Sequence, residues 1–218
     1  MKNIEIRTTN DGSVTLYNRT IQECYHSMFG ARNESTHIFI DSGLKQCHKT
    51  FINVLEVGFG TGLNAFLTAL EAQNSKIKIH YNTLELYPLN TGIYSQLTYA
   101  QSNKEQDLFM QLHTCEWTQP IQITPYFSIT KLQADLCKME FKQVFDCVFF
   151  DAFSPEIQPE LWTTSIFKTL YEAMNSDGIL TTYCAKGSVR RTLQNVGFVV
   201  ERIPGPVGGK REILRARK

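Results

Sequence analysis

The sequence predicts an α/β fold, with a mostly parallel sheet between two layers of helices, an antiparallel last strand and a small N-terminal α+β extension. Three observations predict it. From residue 53 onward, strand-like and helix-like segments alternate, which is typical of a parallel sheet covered on both faces. Residues 54–64 run from an apolar strand through three alternate glycines into a helix. Residues 144–150 are almost wholly apolar, as expected for a central buried strand.

The first 52 residues differ from this pattern and form the predicted extension, while residues 53–218 form the predicted main domain. Asn10-Asp11-Gly12 is a typical hairpin turn. A segment this short does not readily stabilise itself, so we expect it to pack on the main domain. Its predicted elements are strands at 4–7, 14–17 and 37–40 and a helix at 19–30.

In the main domain, the periodicity predicts a helix after each of the first strands. Pro159 is a favourable first-turn residue for one of these helices. The loop 204–209 is short, so the last two strands should be antiparallel neighbours. Strands are expected at 53–57, 77–85, 144–150, 178–184, 198–203 and 211–216, an extended stretch at 120–131 that could turn near Pro125, and helices at 63–73, 90–112, 159–174 and 187–196.

The composition is that of a soluble globular protein, with 42% hydrophobic and 20% charged residues among 218. No stretch approaches the roughly 18 apolar residues of a membrane span, and the N-terminus lacks the apolar core of a signal peptide. Six cysteines without a C-x-x-C pair indicate reduced thiols, so we expect a cytoplasmic protein. No histidine has ligand spacing to a cysteine pair, so no metal site is expected.

The glycine turn indicates a nucleotide-like cofactor. Its spacing is Gly58-x-Gly60-x-Gly62, and Leu63 stands where the dinucleotide fingerprint has its third glycine. Glu56 precedes the first glycine by two residues, and a carboxylate there suits a cofactor with a cationic end, such as S-adenosylmethionine (SAM). The segment therefore favours a Rossmann-like class I SAM-dependent methyltransferase over a nucleotide-dependent dehydrogenase.

Ligands in open α/β sheets bind beyond the carboxyl ends of the strands, so acids at these ends are candidate site residues. Glu85 lies 23 residues after Gly62, where an acid can accept both ribose hydroxyls; a solvated strand end is the alternative. Asp135 could accept a hydrogen bond from an adenine amine, or instead cap a helix. Asp151 directly follows the apolar strand, where a carboxylate can orient an acceptor amine and help to remove its proton.

Substrate contacts are predicted close to these acids. Phe153 could form an apolar or stacking wall for a base, and Lys186 could reach phosphates. Tyr183 is either a core residue or a substrate contact. Residues 186–218 hold nine Lys or Arg and two Glu, a net charge of +7, which indicates either a basic face for a polyanion or a solvated C-terminal hairpin.

Three segments carry a family resemblance: residues 55–64, residues 150–162 with their Asp-aromatic-Pro and Pro-Glu-Leu-Trp runs, and the Gly-Gly-Lys-Arg-Glu ending at 208–212. Together they resemble the MnmC-type tRNA wobble-uridine methyltransferase domain in its stand-alone form, MnmD, over roughly the whole chain. The resemblance implies methyl transfer from SAM to the amine of 5-aminomethyl-(2-thio)uridine at the anticodon wobble position.

By this resemblance, Asp151 faces the aminomethyl group, and Lys210 and Arg211 of the ending are candidate tRNA contacts. Where the family commonly has lysine in the Asp-Gly-Phe-Ala-Pro-x-Lys segment, this chain has Ile157. The residues implied or predicted to hold SAM are Glu56, Gly58, Phe59, Gly60, Gly62, Asn64, Glu85 and Asp135.

The expected partner is the anticodon stem-loop of tRNA, bound through its phosphates by the basic C-terminal part. A separate FAD-dependent oxidase in the same pathway is also implied, because many family members carry that oxidase fused. Two other functions stay open: a SAM-dependent N-methyltransferase of a small amine metabolite, and a non-catalytic tRNA-binding module. Intact cofactor residues argue against the module, and a small-amine enzyme would not need the basic face.

Overall fold

The computed structural model describes residues 3–218, which form an eight-stranded sheet and a separate three-stranded sheet. In the large sheet, five neighbouring strands are parallel and the outer strands on both sides are antiparallel. This confirms the predicted α/β fold and its antiparallel last strand. The order is β10-β11-β9-β8-β4-β5-β7-β6, with β4 Phe51–Val57, β5 Lys78–Leu84, β6 Ile121–Thr124, β7 Phe127–Leu132, β8 Phe145–Phe150, β9 Met174–Thr182, β10 Val199–Pro204 and β11 Glu212–Arg217.

Two hydrophobic clusters cover the two faces of this sheet. The all-buried strand β8 contributes alternate side chains to them, with Phe149 on one face and Val148 and Phe150 on the other, as its pleat requires. The helices are α1 Ala31–Ser35, α2 Leu63–Ser75, α3 Thr91–Tyr94, α4 Asn103–Thr114, α5 Thr164–Glu172 and α6 Gly187–Val196. In residues 3–218 no helix is both long enough and apolar enough to cross a bilayer.

The small sheet contains β1 Ile4–Thr8, β2 Val14–Asn18 and β3 Glu23–Cys24. The predicted turn joins β1 to β2. The predicted helix at 19–30 is wrong, because Cys24 pairs with Tyr17 in this sheet instead. The predicted strand at 37–40 is also wrong: these residues lie in a π-helical turn, Thr36–Asp41, whose three apolar side chains are all buried.

The predicted helix at 90–112 is two helices, α3 and α4, because Ser102 begins a new one. Its Oγ accepts the N–H of Glu105, and the Glu105 carboxylate accepts the N–H of Gln101, one residue before the donor of a standard capping box. The predicted helix at 159–174 begins instead with a 3₁₀ turn, Pro159–Trp162. Thr163 then caps α5, and β9 starts four residues before the predicted strand at 178–184.

Candidate functional site

A cavity of about 710 Å³ lies at the carboxyl ends of the parallel strands, within the size range of small-molecule sites. The loops after β4, β5, β7 and β8 form one side of it. The extension forms much of the other side, through β3 and the residues that follow it. The cavity is therefore built between the main sheet and the N-terminal segment.

The glycine turn brings bare backbone to the cavity wall. Gly58 has a φ of 91°, and a Cβ there would lie 2.9 Å from the carbonyl oxygen of Asp151. Both the backbone conformation and the space therefore require glycine. Gly60 also has a positive φ, and its N–H donates to the Glu85 carboxylate at 2.9 Å. Gly62 begins α2 behind the wall, in the left-handed conformation.

Two histidines support this turn through Thr61, of which His113 is buried and His26 is half-buried. The Nε2 of His113 lies 3.1 Å from the carbonyl oxygen of Thr61, and the Nε2 of His26 lies 3.4 Å from its hydroxyl. Burial lowers the pKa of both histidines to about 4, so both are neutral at pH 7. Phe59 packs edge-on against His113, with ring centroids 5.2 Å apart. His113 was not predicted to take part in the site, since its distance from the turn along the chain gives no signal.

Glu85 and Asp135 both reach the cavity wall, as the sequence predicted. The Glu85 carboxylate is held by two backbone N–H groups, those of Gly60 and Tyr87, each at 2.9 Å. Asp135 accepts the N–H of Cys137 at 3.0 Å and so caps a 3₁₀ turn, Leu136–Lys138. Asp135 is therefore both an N-cap and a wall residue, and the cap fixes the direction of its carboxylate.

Asp151 follows β8 and faces the cavity, and its Oδ2 accepts an N–H of Asn64 at 2.8 Å. Burial raises the pKa of this carboxyl well above its usual range. Glu56 does not line the cavity: it is fully buried behind Asn64, and its Oε2 accepts the hydroxyl of Thr83 at 2.7 Å. Burial raises the pKa of Glu56 to about 7.

The wall beyond Asp151 is aromatic and charged. Phe153 meets Tyr25 of the extension edge-on, with ring centroids 5.0 Å apart. The Tyr183 hydroxyl donates to the carbonyl oxygen of Ala152 at 3.0 Å. The ammonium of Lys210 lies 3.9 Å above the Tyr183 ring and 2.9 Å from the Glu34 carboxylate. Tyr25 thus lies beside Phe153 in the aromatic part of the wall.

Two predicted substrate contacts lie outside the cavity wall. Lys186 is exposed and paired with Glu156, and Arg211 is exposed. Three further acids, beyond those predicted as site residues, line the cavity. They are Glu23, Glu34 and Glu160. Within the described part of the chain, no three His, Cys, Asp or Glu side chains are grouped as metal ligands.

The residues at this wall fit SAM. The glycine turn offers exposed backbone where a nucleoside and an amino-acid chain can approach closely. The carboxylate of Glu85 is fixed at the edge with lone pairs to spare for ribose hydroxyls. In the described wall, acidic side chains outnumber the one lysine, Lys210, and that lysine is paired with Glu34. The electrostatic potential of the cavity therefore favours a cationic cofactor.

Comparisons with known proteins agree with this assignment. A family profile described as S-adenosyl-L-methionine-dependent methyltransferase matches residues 95–218. The MnmC bifunctional protein of tRNA 5-methylaminomethyl-2-thiouridine biosynthesis from Campylobacter hominis is 28% identical over 211 residues, covering 92% of this chain and 31% of that protein. The protein of the same name from Azoarcus sp. is 30% identical over 225 residues, covering 93% and 34%. The chain thus spans about a third of the length of these relatives.

Among solved structures, MnmC2 from Aquifex aeolicus matches with a TM-score of 0.81 and 30% identity, over 98% of this chain and 70% of that one. Spermidine synthase from Thermotoga maritima, at a TM-score of 0.64 and 16% identity over 99% and 69%, shares the fold. The predicted resemblance to the MnmC-type methyltransferase domain and the predicted cofactor are confirmed. The chain therefore belongs to the family of S-adenosyl-L-methionine-dependent methyltransferases.

Proposed function

We propose that this enzyme transfers the methyl group of SAM to the amine of 5-aminomethyl-(2-thio)uridine at the wobble position of tRNA, giving 5-methylaminomethyl-(2-thio)uridine. One observation carries the proposal. Asp151 presents a carboxyl group with a raised pKa to the same cavity that the glycine turn lines. The names of the MnmC relatives specify the biosynthesis of 5-methylaminomethyl-2-thiouridine in tRNA, the product of the proposed reaction, and so support the choice of acceptor.

Asp151 is the proposed catalytic residue. An amine must lose a proton before its lone pair can attack, and the cofactor supplies an electrophilic methyl group on its sulfonium. The Oδ2 of Asp151 is engaged by Asn64, which leaves Oδ1 to accept a hydrogen bond from the amine. Because burial raises its pKa, this carboxylate is a better proton acceptor than an ordinary aspartate.

The cofactor half of the cavity has separate proposed contacts. Glu85 would bind the ribose hydroxyls, Asp135 the adenine amine, and Asn64 the amino-acid end beside the glycine turn. Glu56 and Gly62, which lie behind the wall, would act by holding that wall in place. The remaining proposed cofactor contacts are Gly58, Phe59 and Gly60.

On the acceptor half, Phe153 and Tyr25, which already touch edge-on, would together flank the flipped uracil base on one side. Tyr183 and Lys210 would form the far wall, where the charge of Lys210 is already compensated by Glu34. Lys210 is therefore a better candidate for shaping the pocket than for binding a phosphate. Ile157, which replaces the lysine of related sequences, lines this half as an apolar contact.

We propose that the anticodon stem-loop docks on the basic C-terminal part, at Arg190, Arg191 and Arg211. None of these three forms an ion pair with an acid within residues 3–218, whereas Lys186 does. Unpaired arginines keep their charge for phosphates. A separate FAD-dependent oxidase acting earlier in the same pathway, and a cytoplasmic location, complete the proposal.

The test is methyl transfer from labelled SAM to two tRNA pools, one carrying 5-aminomethyl-uridine and one lacking it. We expect label only in the first pool, and a rate about 10²- to 10⁴-fold lower for Asp151→Asn. Asp107→Asn, an exposed acid on α4, is the matched control and should transfer at the wild-type rate. Label in a small amine but in neither pool would overturn the tRNA assignment.

A further inference from the structure

One buried cation takes no part in the proposed chemistry. Lys131, in β7, has no solvent exposure, and burial lowers the pKa of its ammonium group. No acid forms an ion pair with it within residues 3–218. A buried charge without an acidic partner is costly, so this ammonium group needs other favourable contacts.

The ammonium group of Lys131 binds the C-terminal end of α4. It donates to the carbonyl oxygens of Leu112 and His113, at 2.8 and 2.7 Å. Both carbonyls belong to the last turn of the helix, where the backbone has no partner within the helix and the helix dipole is negative. The centroid of the Trp117 ring lies 4.9 Å from the same ammonium group. Lys131 therefore fixes the end of α4.

His113 connects this helix end to the glycine turn. Its Nε2 lies 3.1 Å from the carbonyl oxygen of Thr61. A carbonyl oxygen only accepts, so Nε2 carries the hydrogen of the neutral imidazole. Aromatic neighbours hold the ring, which is stacked on Tyr94 with centroids 4.4 Å apart and edge-on to Phe109 at 4.8 Å. The imidazole therefore meets the turn where α4 places it.

The turn has little freedom on this side. A Cβ at Gly62 would lie 2.8 Å from Nε2 of His113, so the imidazole and the backbone are in close contact. Phe59, which lines the cavity, packs edge-on against His113 and Trp117, with centroids 5.2 and 6.3 Å away. The centroid of Phe59 also lies 5.8 Å from Nζ of Lys131. A displacement of the end of α4 would therefore be passed on to the cavity wall.

We propose that Lys131 is a positioning residue for the cofactor. Its two hydrogen bonds fix the end of α4, and His113 passes that position on to the carbonyl of Thr61. The glycine turn is thereby held in the shape that binds SAM, although Lys131 itself does not line the cavity. The inference rests on the proposed contacts of SAM with this turn, and it does not depend on which acceptor is methylated.

Lys131→Met tests the proposal, because methionine has a similar length and no donor. We expect S-adenosylhomocysteine, the probe, to bind roughly five- to tenfold more weakly in calorimetric titration, about the effect of one lost hydrogen bond. Lys218→Met is the matched control. Its ammonium group also donates to a backbone carbonyl, that of Met174 at 2.7 Å, and lies 4.8 Å from the centroid of the Tyr171 ring. None of these three residues lines the cavity, so the control should bind the probe as the wild type does.

Two readouts separate positioning of the turn from a loss of overall stability. In Lys131→Met, KM for SAM should rise, while kcat at saturating SAM and KM for tRNA should stay unchanged. The N–H of Gly62 donates to the carbonyl of Phe59 at 2.8 Å, and its hydrogen exchange should accelerate more than that of β8. In Lys218→Met, the turn should not accelerate more than β8. The same result in Lys131→Met would show a merely structural role and overturn the proposal.

If Lys131→Met does not fold, a pair of variants at His113 decides. His113→Gln keeps an N–H donor near the position of Nε2, and His113→Leu removes it, so only His113→Leu should bind the probe more weakly. Equal binding of the probe by the two variants would overturn the proposal. Where Lys131→Met folds, binding as tight as that of Lys218→Met would overturn it as well.

Glu85→Gln separates this proposal from the proposed placement of the cofactor. It should weaken binding of the probe, because Glu85 is the proposed ribose contact. If Glu85→Gln weakens binding and Lys131→Met does not, only the role of Lys131 is wrong. If neither weakens binding, the placement of the cofactor against this wall is wrong too. The binding and exchange measurements need no tRNA, so a failure of the proposed tRNA activity would not affect them.

Discussion

At the scale of single residues, the site is governed by burial of carboxyl groups. Glu56 has no exposure and one hydrogen-bond donor on its Oε2, which does not compensate for loss of water around a charge. Its pKa is therefore raised to about 7. When a buried acid favours its neutral form, the protein takes up a proton as it folds. The free energy of unfolding therefore depends on pH.

This dependence gives a signed prediction for Glu56→Gln. The unfolded carboxyl has a pKa near 4.5 and the folded one near 7, so between these values the folded state binds more protons. The free energy of unfolding of the wild type should therefore fall relative to Glu56→Gln as pH rises from 4.5 to 7, by about 3 kcal/mol in total. Urea denaturation of both proteins across this range measures the difference.

The comparison with Gln is needed because His26 and His113 act in the opposite direction. Their folded pKa values of about 4 make stability fall as pH decreases below their unfolded value of 6.5. Both histidines are present in both proteins, so their contribution cancels in the difference. A difference that stayed constant with pH would contradict the assignment of a raised pKa to Glu56.

Short sequence motifs were enough to predict the position of several side chains that line the cavity. Asp151 and Glu85 reach the cavity because both follow parallel strands, and the carboxyl ends of such strands meet at one edge. The role of Glu56 was less predictable. A strand residue faces one side of the sheet or the other, and only the packing of α2 puts Asn64 between Glu56 and the cavity. Glu34 and Tyr25 come from the extension, and the way the extension packs on the main domain determines which of its side chains reach the wall.

At the scale of elements, the junction between β4 and α2 requires a left-handed backbone in a closely packed environment. Gly62 has a φ of 74°, and a Cβ there would lie 2.8 Å from Nε2 of His113. Gly12, in the turn between β1 and β2, has a φ of 81° with no atom within 4 Å of a Cβ. The two glycines therefore share a left-handed backbone and differ in the space around them.

Gly62→Ala and Gly12→Ala form a matched pair. Each should lose about 1–2 kcal/mol from the left-handed conformation alone. Gly62→Ala should lose about 1–3 kcal/mol more from overpacking against His113 and should weaken binding of S-adenosylhomocysteine. Chemical denaturation and calorimetric titration give the two readouts. Equal losses of stability in the two variants would show that His113 moves aside without cost.

The elements that were predicted wrongly have physical reasons. Residues 37–40 contain a three-residue apolar run, and such a run fits a buried strand or a buried helical turn equally well. The helix at 90–112 was predicted over a boundary that Ser102 and Glu105 mark with the spacing of a capping box, so that signal was present and not used. The pairing of Cys24 with Tyr17 depends on a partner strand, which local periodicity does not reveal.

At the scale of the whole molecule, opposite charges are sorted into two regions. The cavity wall is acidic, which suits a cationic cofactor and an amine. The C-terminal part is basic, but much of its charge is internally paired. Glu201 binds both Arg215 and Arg217 across β10 and β11, and Arg202 pairs with Glu212. The net charge of +7 therefore overstates the surface available to a polyanion.

The arginines of α6 provide the test of that surface. Arg190→Glu/Arg191→Glu should raise KM for tRNA roughly tenfold or more, because attraction to the phosphates is replaced by repulsion. The slope of log(kcat/KM) against log[salt] should become shallower by about one for each phosphate that the variant no longer neutralises. Lys76→Glu/Lys78→Glu is the control of equal charge change: Lys76 ends α2 and Lys78 begins β5, so both lie at the amino ends of the parallel strands, away from the cavity. If both double variants lower tRNA methylation equally at low salt, net charge rather than a docking surface on α6 determines tRNA binding. If only the α6 variant is impaired, and methylation recovers less with falling salt than in the wild type, the phosphates dock beside the cavity on α6.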